Sequence, residues 1–270
     1  MSEQGFFERV TLLGVGLMGG SLGLALREKG LAREIIGYDP SQANLDTALS
    51  RNLIDTAMTD LHRAAASASL IVFAAPVSTI PPLMEAVASS VPHNALLTDL
   101  GSTKREITVQ GERLFGSRFV GGHPMAGAEE SGASAARPNL FQNATWILTS
   151  STPRLGAKPV AMTVEEHDIA VGLVSHLPHL MSFAFAGTVR GTLGLERAGQ
   201  VSAGSYRDMM RVSVSAPALW ADILYTNREA LLVVAEKYEA NLNTLRKALE
   251  SPNKAELLEV LKRFGEERQP

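Results

Sequence analysis

The chain has no cysteine among its 270 residues, which excludes disulfide bonds, thiolate metal sites and cysteine nucleophiles. Its net charge of −3 at pH 7 argues against a general nucleic-acid-binding protein, because phosphate binding needs a basic face. The N-terminus shows no basic stretch followed by an apolar one, and no apolar run approaches the ~20 residues that cross a bilayer. We therefore expect a cytoplasmic protein without nucleic-acid or membrane partners.

A glycine-rich turn near the N-terminus is the most informative motif that is present. An apolar run predicts a strand, and it leads into the spacing G-x-G-x-x-G formed by Gly14, Gly16 and Gly19. The first glycine permits a tight turn, the second lets the backbone approach a pyrophosphate, and the third lets helix and strand pack closely. The N–H groups that open the next helix, at Leu17 and Met18, would face the anion. The stretch predicts a dinucleotide site.

Asp39 ends the next apolar run, about twenty residues beyond the glycines. A carboxylate there would accept hydrogen bonds from the ribose 2′- and 3′-hydroxyls and would repel a 2′-phosphate, so NAD is favoured over NADP. Pro76 follows a further apolar run and predicts a loop at the carboxyl end of a strand, where ligands bind in such sheets. We assign Pro76 to the same cofactor site. A glycine-rich turn without a ligand is the alternative.

Strand and helix patterns alternate through the first half of the chain. The predicted strands are 9–14, 34–38, 70–74, 95–99, 119–121 and 145–148, and the predicted helices are 18–30, 41–50, 79–89 and 103–115. This alternation is typical of an α/β fold with a doubly wound parallel sheet of the Rossmann type. A further strand-like run, 158–162, follows the short connection 150–156. Because a parallel crossover usually takes a dozen or more residues, we expect it to pair antiparallel with 145–148 or to lie outside the sheet.

The second part of the chain is predicted to be all-helical, with helices at 164–190, 215–250 and 254–264. The segment 167–190 is apolar around its whole circumference, which predicts a buried helix. A small helical unit cannot readily bury such a helix alone, so we expect a homodimer. The predicted domains are 1–163, which binds the cofactor, and 164–270, which binds substrate and forms the dimer.

Two residues of the first part are candidates for catalysis. Ser102, in Asp99-Leu-Gly-Ser-Thr-Lys104, either caps the next helix, as Thr103 could, or faces a nicotinamide from the edge of the sheet. His123 follows a predicted strand in Gly-Gly-His-Pro-Met-Ala-Gly. A neutral imidazole there can accept a proton from a substrate hydroxyl as hydride leaves the same carbon. A structural histidine is the alternative.

Candidate ligand-binding residues also lie in the helical part. His176 and His179 share one helix face, and Pro178 should kink that helix. A metal site would need a further ligand on that face, so we expect no metal and assign one histidine to anion binding and the other to packing. Arg211 lies three residues after Asp208, and a solvated ion pair is the alternative to bidentate capture of a substrate carboxylate by Arg211.

Taken together, several motifs resemble the prephenate/arogenate dehydrogenase family of tyrosine biosynthesis, over nearly the whole chain. They are Gly14-Val-Gly-Leu-Met-Gly-Gly-Ser21, Asp99-Leu-Gly-Ser-Thr-Lys104, Gly121-Gly-His-Pro-Met-Ala-Gly127, His167-Asp168 with Ser175-His-Leu-Pro-His179, and Tyr206-Arg-Asp-Met-Met-Arg211. The resemblance implies an oxidative decarboxylation. Hydride passes from the ring carbon that bears the 4-hydroxyl to NAD(P)+, CO2 leaves, and the ring becomes aromatic.

The resemblance also implies roles for single residues. His123 resembles the base bonded to the 4-hydroxyl, and Ser102 resembles the hydroxyl that orients substrate, base and nicotinamide. The residues assigned to the substrate are Ser175, His179, Arg211 and Trp220, with Arg211 matching the carboxylate-binding arginine. We expect NAD-dependent conversion of prephenate to 4-hydroxyphenylpyruvate. The alternatives are arogenate as substrate, another two-domain NAD(P)-dependent hydroxy-acid or imino-acid dehydrogenase, and a non-catalytic NAD-binding sensor.

Overall fold

The computed structural model describes residues 7–128, 130–149 and 158–265. Its strands are β1 Phe7–Leu13, β2 Ala32–Tyr38, β3 Thr56–Met58, β4 Leu70–Phe73, β5 Leu96–Asp99, β6 Phe119–Val120, β7 Gly122–Pro124, β8 Thr145–Leu148 and β9 Lys158–Ala161. Its α-helices are α1 Leu17–Glu28, α2 Gln42–Ser50, α3 Leu61–Ala65, α4 Ile80–Val87, α5 Arg105–Phe115, α6 Val164–Val171, α7 Leu177–Thr192, α8 Leu195–Gln200, α9 Gly204–Ser213, α10 Pro217–Thr226, α11 Arg228–Glu250 and α12 Lys254–Gly265. We call β1 to β9 with their helices the sheet half, and α6 to α12 the helical half.

The main sheet has six parallel strands in the order β3-β2-β1-β4-β5-β6. Successive residues of a strand point to opposite faces, and each face here has its own core. Leu12 and Val72 belong to one apolar cluster, whereas Leu13 and Phe73 belong to the other. A sheet covered on both faces explains why its strands are continuous apolar runs. The predicted doubly wound fold is confirmed.

The order of the strands reverses between β1 and β4, which opens a crevice at their carboxyl ends. The glycine turn follows β1 there, and the loop that contains Pro76 follows β4. The edge strand β3 was not among the predicted strands. It is only three residues long and is half-buried. Such a strand needs no run of apolar residues, and the sequence shows none at this position.

A second, three-stranded sheet corrects two predictions. β8 pairs antiparallel with β7 and therefore does not belong to the doubly wound sheet. β9 pairs parallel with β8, so the expected antiparallel pairing is wrong, whereas the alternative is met, because β9 lies outside the doubly wound sheet. The predicted connection 150–156 lies outside the described residues. The number of residues between the two strands permits a parallel pairing. The nine residues from 149 to 157 could span at most roughly 30 Å, whereas the chain has to return along a four-residue strand of about 13 Å.

The predicted helix from 164 to 190 is one continuous helix with a π turn, Gly172–His176, between α6 and α7. The deviation from α geometry thus comes just before Pro178, which lies in the first turn of α7. The prediction that 167–190 is buried is not met within one chain, because Leu173, Val174 and Leu180 are exposed.

By length and composition the stretch Val164–Thr192 could also cross a membrane, which corrects the expectation that no apolar run approaches that length. One such helix is weak evidence for a membrane span, since a helix covered by protein passes the same test. The predicted helix from 215 to 250 is divided into α10 and α11 at Asn227.

Candidate active site

The glycine turn after β1 leaves a cradle open at the start of α1. Gly14 has φ +109°, a conformation that favours glycine, and a Cβ there would lie 2.5 Å from the carbonyl oxygen of Ala74. A Cβ on Gly19 would overlap the carbonyl oxygen of Gly14. By contrast, a Cβ on Gly16 would meet nothing within 4 Å. The open side at Gly16 and the helix N-terminus beside it fit the pyrophosphate of a dinucleotide.

The other residues predicted for this turn lie around it. Leu17 and Met18 form the start of α1, immediately after Gly16. Pro76 lies two residues beyond Ala74, whose carbonyl group closes the turn at Gly14.

Asp39 links the glycine turn to the start of α2. Its carboxylate accepts hydrogen bonds from the backbone N–H of Val15 at 3.2 Å, the backbone N–H of Ser41 at 2.9 Å and Nδ2 of Asn44 at 3.2 Å. The side chain thus stands at the carboxyl end of β2, beside the cradle, where a ribose would lie. A carboxylate can accept about four hydrogen bonds, which leaves capacity for a hydroxyl.

Arg51, at the end of α2, is held by backbone oxygens. Its guanidinium donates to the carbonyl groups of Ala133, Ser134 and Ala136 at 2.7, 2.6 and 2.9 Å. This cation of α2 therefore braces the loop between β7 and β8. A 2′-phosphate site usually needs an arginine beside the acidic position, and these bonds engage Arg51 elsewhere.

A buried chain of three side chains joins the two halves at His123. Nδ1 of His123, in β7, lies 2.9 Å from Nε2 of His167, in α6. Nδ1 of His167 lies 2.8 Å from Oδ1 of Asp168. The Asp168 carboxylate also accepts from the backbone N–H groups of Lys104 and Arg105 at 2.9 and 3.1 Å. We call His123, His167 and Asp168 the relay.

The alternative interpretation of Ser102 or Thr103 as the cap of α5 is wrong. The helix starts at Arg105, two residues later than predicted, and the carboxylate of Asp168 binds the N–H groups of Lys104 and Arg105 from the other half of the molecule. A carboxylate is well suited to this place, because it satisfies backbone donors and faces the positive end of the helix dipole. Association of the two halves therefore also caps α5.

The relay fixes which nitrogen of His123 carries a proton. Burial raises the pKa of Asp168, but the hydrogen bonds from His167 and from the backbone of Lys104 prevail and leave this pKa below its ordinary value. An ionised carboxylate only accepts hydrogen bonds, so Nδ1–H of His167 donates to it. Where His167 is neutral, its Nε2 accepts the hydrogen bond from Nδ1–H of His123, which is the arrangement that a proton acceptor at Nε2 of His123 requires. Nε2 of His123 is left with its lone pair, as a proton acceptor requires.

His123 is kept uncharged by its surroundings. Burial, and after it the positive charge of Lys104, lowers the pKa of His123 well below its ordinary value. Lys104 is itself fully buried and forms an ion pair with Asp99 at the end of β5. Asp99 also accepts from the backbone N–H of Gly122 at 3.0 Å, which ties β7 to β5. The same buried ion pair thus supports the strand of His123 and disfavours its protonation.

Ser102 lies half-buried between β5 and α5, at the carboxyl edge of the main sheet. The hydrogen bonds of the described residues do not join it to His123. Its neighbour Thr103 contacts Thr226 of α10, with 3.2 Å between their hydroxyl oxygens. The position fits the predicted role at the nicotinamide, and that role stays a prediction.

The residues predicted to bind substrate meet in the helical half, around Trp220. The ring of His179 stacks on Trp220 with 3.4 Å between centroids, and the ring of His176 meets Trp220 edge-on at 6.2 Å. Nδ1–H of His179 donates to the carbonyl group of Ser175 at 2.9 Å. Burial lowers the pKa of His179, the bond to Ser175 opposes this, and the charge of Arg211 lowers it further. Arg211 therefore lies near the ring of His179.

Sequence reasoning gave no role to several residues that the structure places in the site. His167 and Asp168 belong to one of the motifs that carry the family resemblance. The signal that could have indicated their role is the adjacent histidine and aspartate on a helix that packs against another element. Lys104 and Asn227 gave no signal, because a lysine or an asparagine is usually exposed. In the described part of the chain, no group of three or more histidine, aspartate and glutamate residues could hold a metal ion.

Comparisons with known proteins agree with this arrangement. A family model described as the nucleotide-binding domain of prephenate dehydrogenase matches residues 22–165, and one described as its dimerization domain matches residues 163–263. The prephenate dehydrogenase of Bacillus subtilis (strain 168) is 32% identical over 94% of this chain and 74% of its own length.

Two solved structures extend the likeness to the whole fold. Prephenate dehydrogenase from Aquifex aeolicus, in complex with hydroxyphenyl propionate and NAD+, is 31% identical, with a TM-score of 0.87 over 95% of this chain and 96% of its own. Arogenate dehydrogenase from Synechocystis is 30% identical, with a TM-score of 0.79 over 96% of this chain and 98% of its own.

Proposed function

The chain belongs to the prephenate dehydrogenase family, and on that premise we propose that it oxidises and decarboxylates prephenate to 4-hydroxyphenylpyruvate in the cytoplasm, with NAD+ as the hydride acceptor. The observation that carries this proposal is the relay. It leaves Nε2 of the neutral His123 free of its proton near the carboxyl end of β5, at the edge of the main sheet that also carries the dinucleotide cradle.

The cofactor site comprises the glycine turn and the residues around it: Gly14, Gly16, Leu17, Met18, Gly19, Asp39 and Pro76. The open side at Gly16 takes the pyrophosphate, and Asp39 takes the ribose hydroxyls. Two observations support NAD over NADP: the acidic group at the ribose position, and the engagement of Arg51 with backbone carbonyls. When bound, the nicotinamide accepts the hydride from the substrate carbon that bears the hydroxyl group.

His123 is the base in this mechanism. Its Nε2 accepts the proton of the 4-hydroxyl while Nδ1–H remains bonded to His167, and Asp168 stabilises the positive charge that spreads along the relay. Ser102, at the edge of the sheet, orients the hydroxyl group and the ring of the base. Loss of CO2 makes the product ring aromatic, so the protein chiefly has to place a base, an anion site and an acceptor together.

The substrate side comprises Ser175, His179, Arg211 and Trp220. Arg211 binds a carboxylate, and the stacked rings of His179 and Trp220 form a wall for the substrate side chain. Arogenate is the second candidate substrate. Because Nδ1 of His179 donates to Ser175, Nε2 of the neutral ring is an acceptor, which suits an ammonium group.

The assembly is a homodimer through the helical half, and the domains divide between residues 163 and 164. Support for the dimer comes from the dimerization-domain match at residues 163–263 and from the exposed Leu173, Val174 and Leu180 of a strongly apolar helix. A second copy that covers this helix would remove from water the apolar surface that a single chain leaves exposed.

The test is NADH formation from prephenate, followed by absorbance, for wild type, His123→Asn and the matched control His93→Asn. His93 is exposed, so its variant should behave as wild type. His123→Asn should lower kcat by about 10²–10⁴-fold, the usual contribution of a positioned base, with a smaller change in KM. Near-normal turnover of His123→Asn would remove His123 from the mechanism, and a larger kcat/KM for arogenate than for prephenate would replace the proposed substrate.

A further inference from the structure

Asn227 is a buried side chain at the junction of α10 and α11, between the relay and the substrate side. Its Nδ2 group donates to the backbone carbonyl of Asp168 at 2.8 Å, and it lies 2.9 Å from Nδ1 of His176. The two protons of one amide group are thus used on two different parts of the site.

The direction of these bonds follows from the acceptors. A backbone carbonyl cannot donate, so the amide group that faces Asp168 must be NH2 and not the oxygen of Asn227. The second amide proton then points to Nδ1 of His176, which must be unprotonated. A neutral His176 therefore carries its only ring proton on Nε2, on the opposite side of the ring.

The π turn makes this double contact possible. Asp168 and His176 are eight residues apart, which in a regular α-helix would set them about 80° apart around the axis. The wider π turn Gly172–His176 lies between them and takes up part of this angle.

We propose that Asn227 is a positioning residue: its amide holds His176 as a neutral Nε2–H donor beside Trp220 and ties that side of the site to Asp168. This inference rests on the proposed function. The single amide group of Asn227 would fix the position of the relay relative to the stacked rings of His179 and Trp220. The His176 ring meets Trp220 edge-on, and Trp220 carries the stacked His179 on its ring, so a rotation of His176 would move the wall.

The surroundings of His176 keep it in this form. Burial lowers the pKa of His176 to about 4; the nearby Asp168 opposes this shift, while His167 and His179 add to it. The ring is therefore neutral across the pH range in which the enzyme would be assayed. Replacement of Asn227 by aspartate reverses the bond, because a carboxylate must accept from Nδ1 of His176 and repels the carbonyl group of Asp168.

The first test does not depend on activity. Ring nitrogen NMR of the full-length, histidine-labelled protein, with His176 identified by the loss of its signals in His176→Gln, should show the Nε2–H form from pH 8 to pH 5. In Asn227→Asp the proton should appear on Nδ1, with titration at higher pH than in wild type. An Nδ1–H form in the wild-type protein would overturn the proposal even if Asn227→Asp fails to fold.

The second test is kinetic and uses Asn241→Asp as the matched control, since Asn241 lies exposed on α11 and gives the same change of charge. Asn227→Asp should lower kcat/KM for prephenate at least about tenfold, introduce an extra ionisation in its pH profile, and leave NAD+ affinity unchanged. A loss of thermal stability with an unchanged kcat/KM and pH profile would reduce Asn227 to a structural role and overturn the proposal. Absence of turnover in wild type would instead contradict the proposed function and leave the NMR result intact.

Discussion

The sheet half and the helical half bury their apolar residues in different ways. Two clusters of sixteen and fifteen buried residues cover the two faces of the main sheet. In the described residues of the helical half, a cluster of three, Leu177, Leu231 and Val234, is buried, and partly buried side chains pack around it. The sheet half therefore has the core of an independent domain, whereas the helical half leaves much of its apolar surface for another molecule.

Polar contacts hold the helical half against the sheet half. Asp168 caps α5, Thr226 contacts Thr103, and the backbone N–H of Ser78 donates to Asp222 at 3.1 Å. Such contacts are directional, so they fix the relative placement of the halves more sharply than apolar packing would. The relay lies at this boundary. In the proposed function, the sheet half binds the cofactor, and the helical half positions the base and the substrate.

The first prediction breaks the comparison at exposed leucines. Leu173 of the helical half and Leu96 of the sheet half are 50% and 49% exposed in one chain. If a second copy covers the exposed half of Leu173, Leu173→Glu removes about 0.8–1.5 kcal/mol of burial twice in a symmetric interface, which raises the dimer dissociation constant by about 10–10²-fold. Leu96→Glu should leave it unchanged. Sedimentation at micromolar concentration measures both, and equal behaviour of the two variants would contradict the proposed interface.

Acid should lower the free energy of unfolding. The pKa of His176 is about 4 in the folded protein, against an ordinary value of 6.5. Between these values the unfolded chain binds the proton and the folded one does not, so stability is fully present above pH 6.5 and falls as the pH falls towards 4. The loss at pH 4 is about 3 kcal/mol, and His123 adds a loss of the same sign.

Denaturant unfolding at several pH values measures this loss. His176→Gln should reduce the pH dependence between 6.5 and 4, whereas His62→Gln, at an exposed histidine of α3, should not. An unchanged pH dependence in His176→Gln would show that His176 is not held neutral.

The sheet half was largely predictable because its signals are local. Apolar runs and the glycine turn mark strands and a turn within short stretches of sequence, and the structure has a doubly wound parallel sheet with that turn directly after β1. The failures came where distant groups decide the result. The cap of α5 comes from Asp168, more than sixty residues away, and the pairing of β8 with β9 depends on the reach of a connection that sequence rules treated as too short.

The helices of the helical half were predictable from the sequence, but the contacts between their side chains were not. The apolar segment 167–190 correctly predicted a long helix, whereas the predicted burial is not met within one chain. The clustering of His176, His179 and Trp220 needs both a π turn and the break at Asn227. Neither feature has a distinct sequence pattern, so the contacts among these rings were not predictable, although the resemblance had already assigned His179 and Trp220 to the substrate.

A variant of Arg211 tests whether the helical half binds the substrate and not the cofactor. Loss of one charge-assisted bond contributes about 1.5–3 kcal/mol, so Arg211→Ala should raise the KM for prephenate by about 10–150-fold and leave the KM for NAD+ unchanged. Arg207→Ala, one helical turn earlier in α9, is the matched control and should change neither value. Steady-state kinetics with each substrate varied in turn measures the two constants. An equal rise in both would assign Arg211 to folding.

Asp39 tests the same division from the cofactor side and carries the smallest expected effect. The carboxylate accepts from the turn at Val15 and from the start of α2, so Asp39→Ser removes a ribose acceptor and weakens the support of the turn at the same time. A hydrogen bond to a charged group contributes about 1.5 kcal/mol at the lower end, which predicts about tenfold weaker NAD+ binding. Discrimination against NADP+ should relax as well, because the repulsion of a 2′-phosphate is removed.

Asp46→Ser, at an exposed position of α2, should leave both affinities unchanged. Titration of the variants with NAD+ and NADP+ decides the matter: a wild-type protein that binds NADP+ more tightly would contradict the role of Asp39, and a raised KM for prephenate in Asp39→Ser would show that the two halves do not divide their tasks.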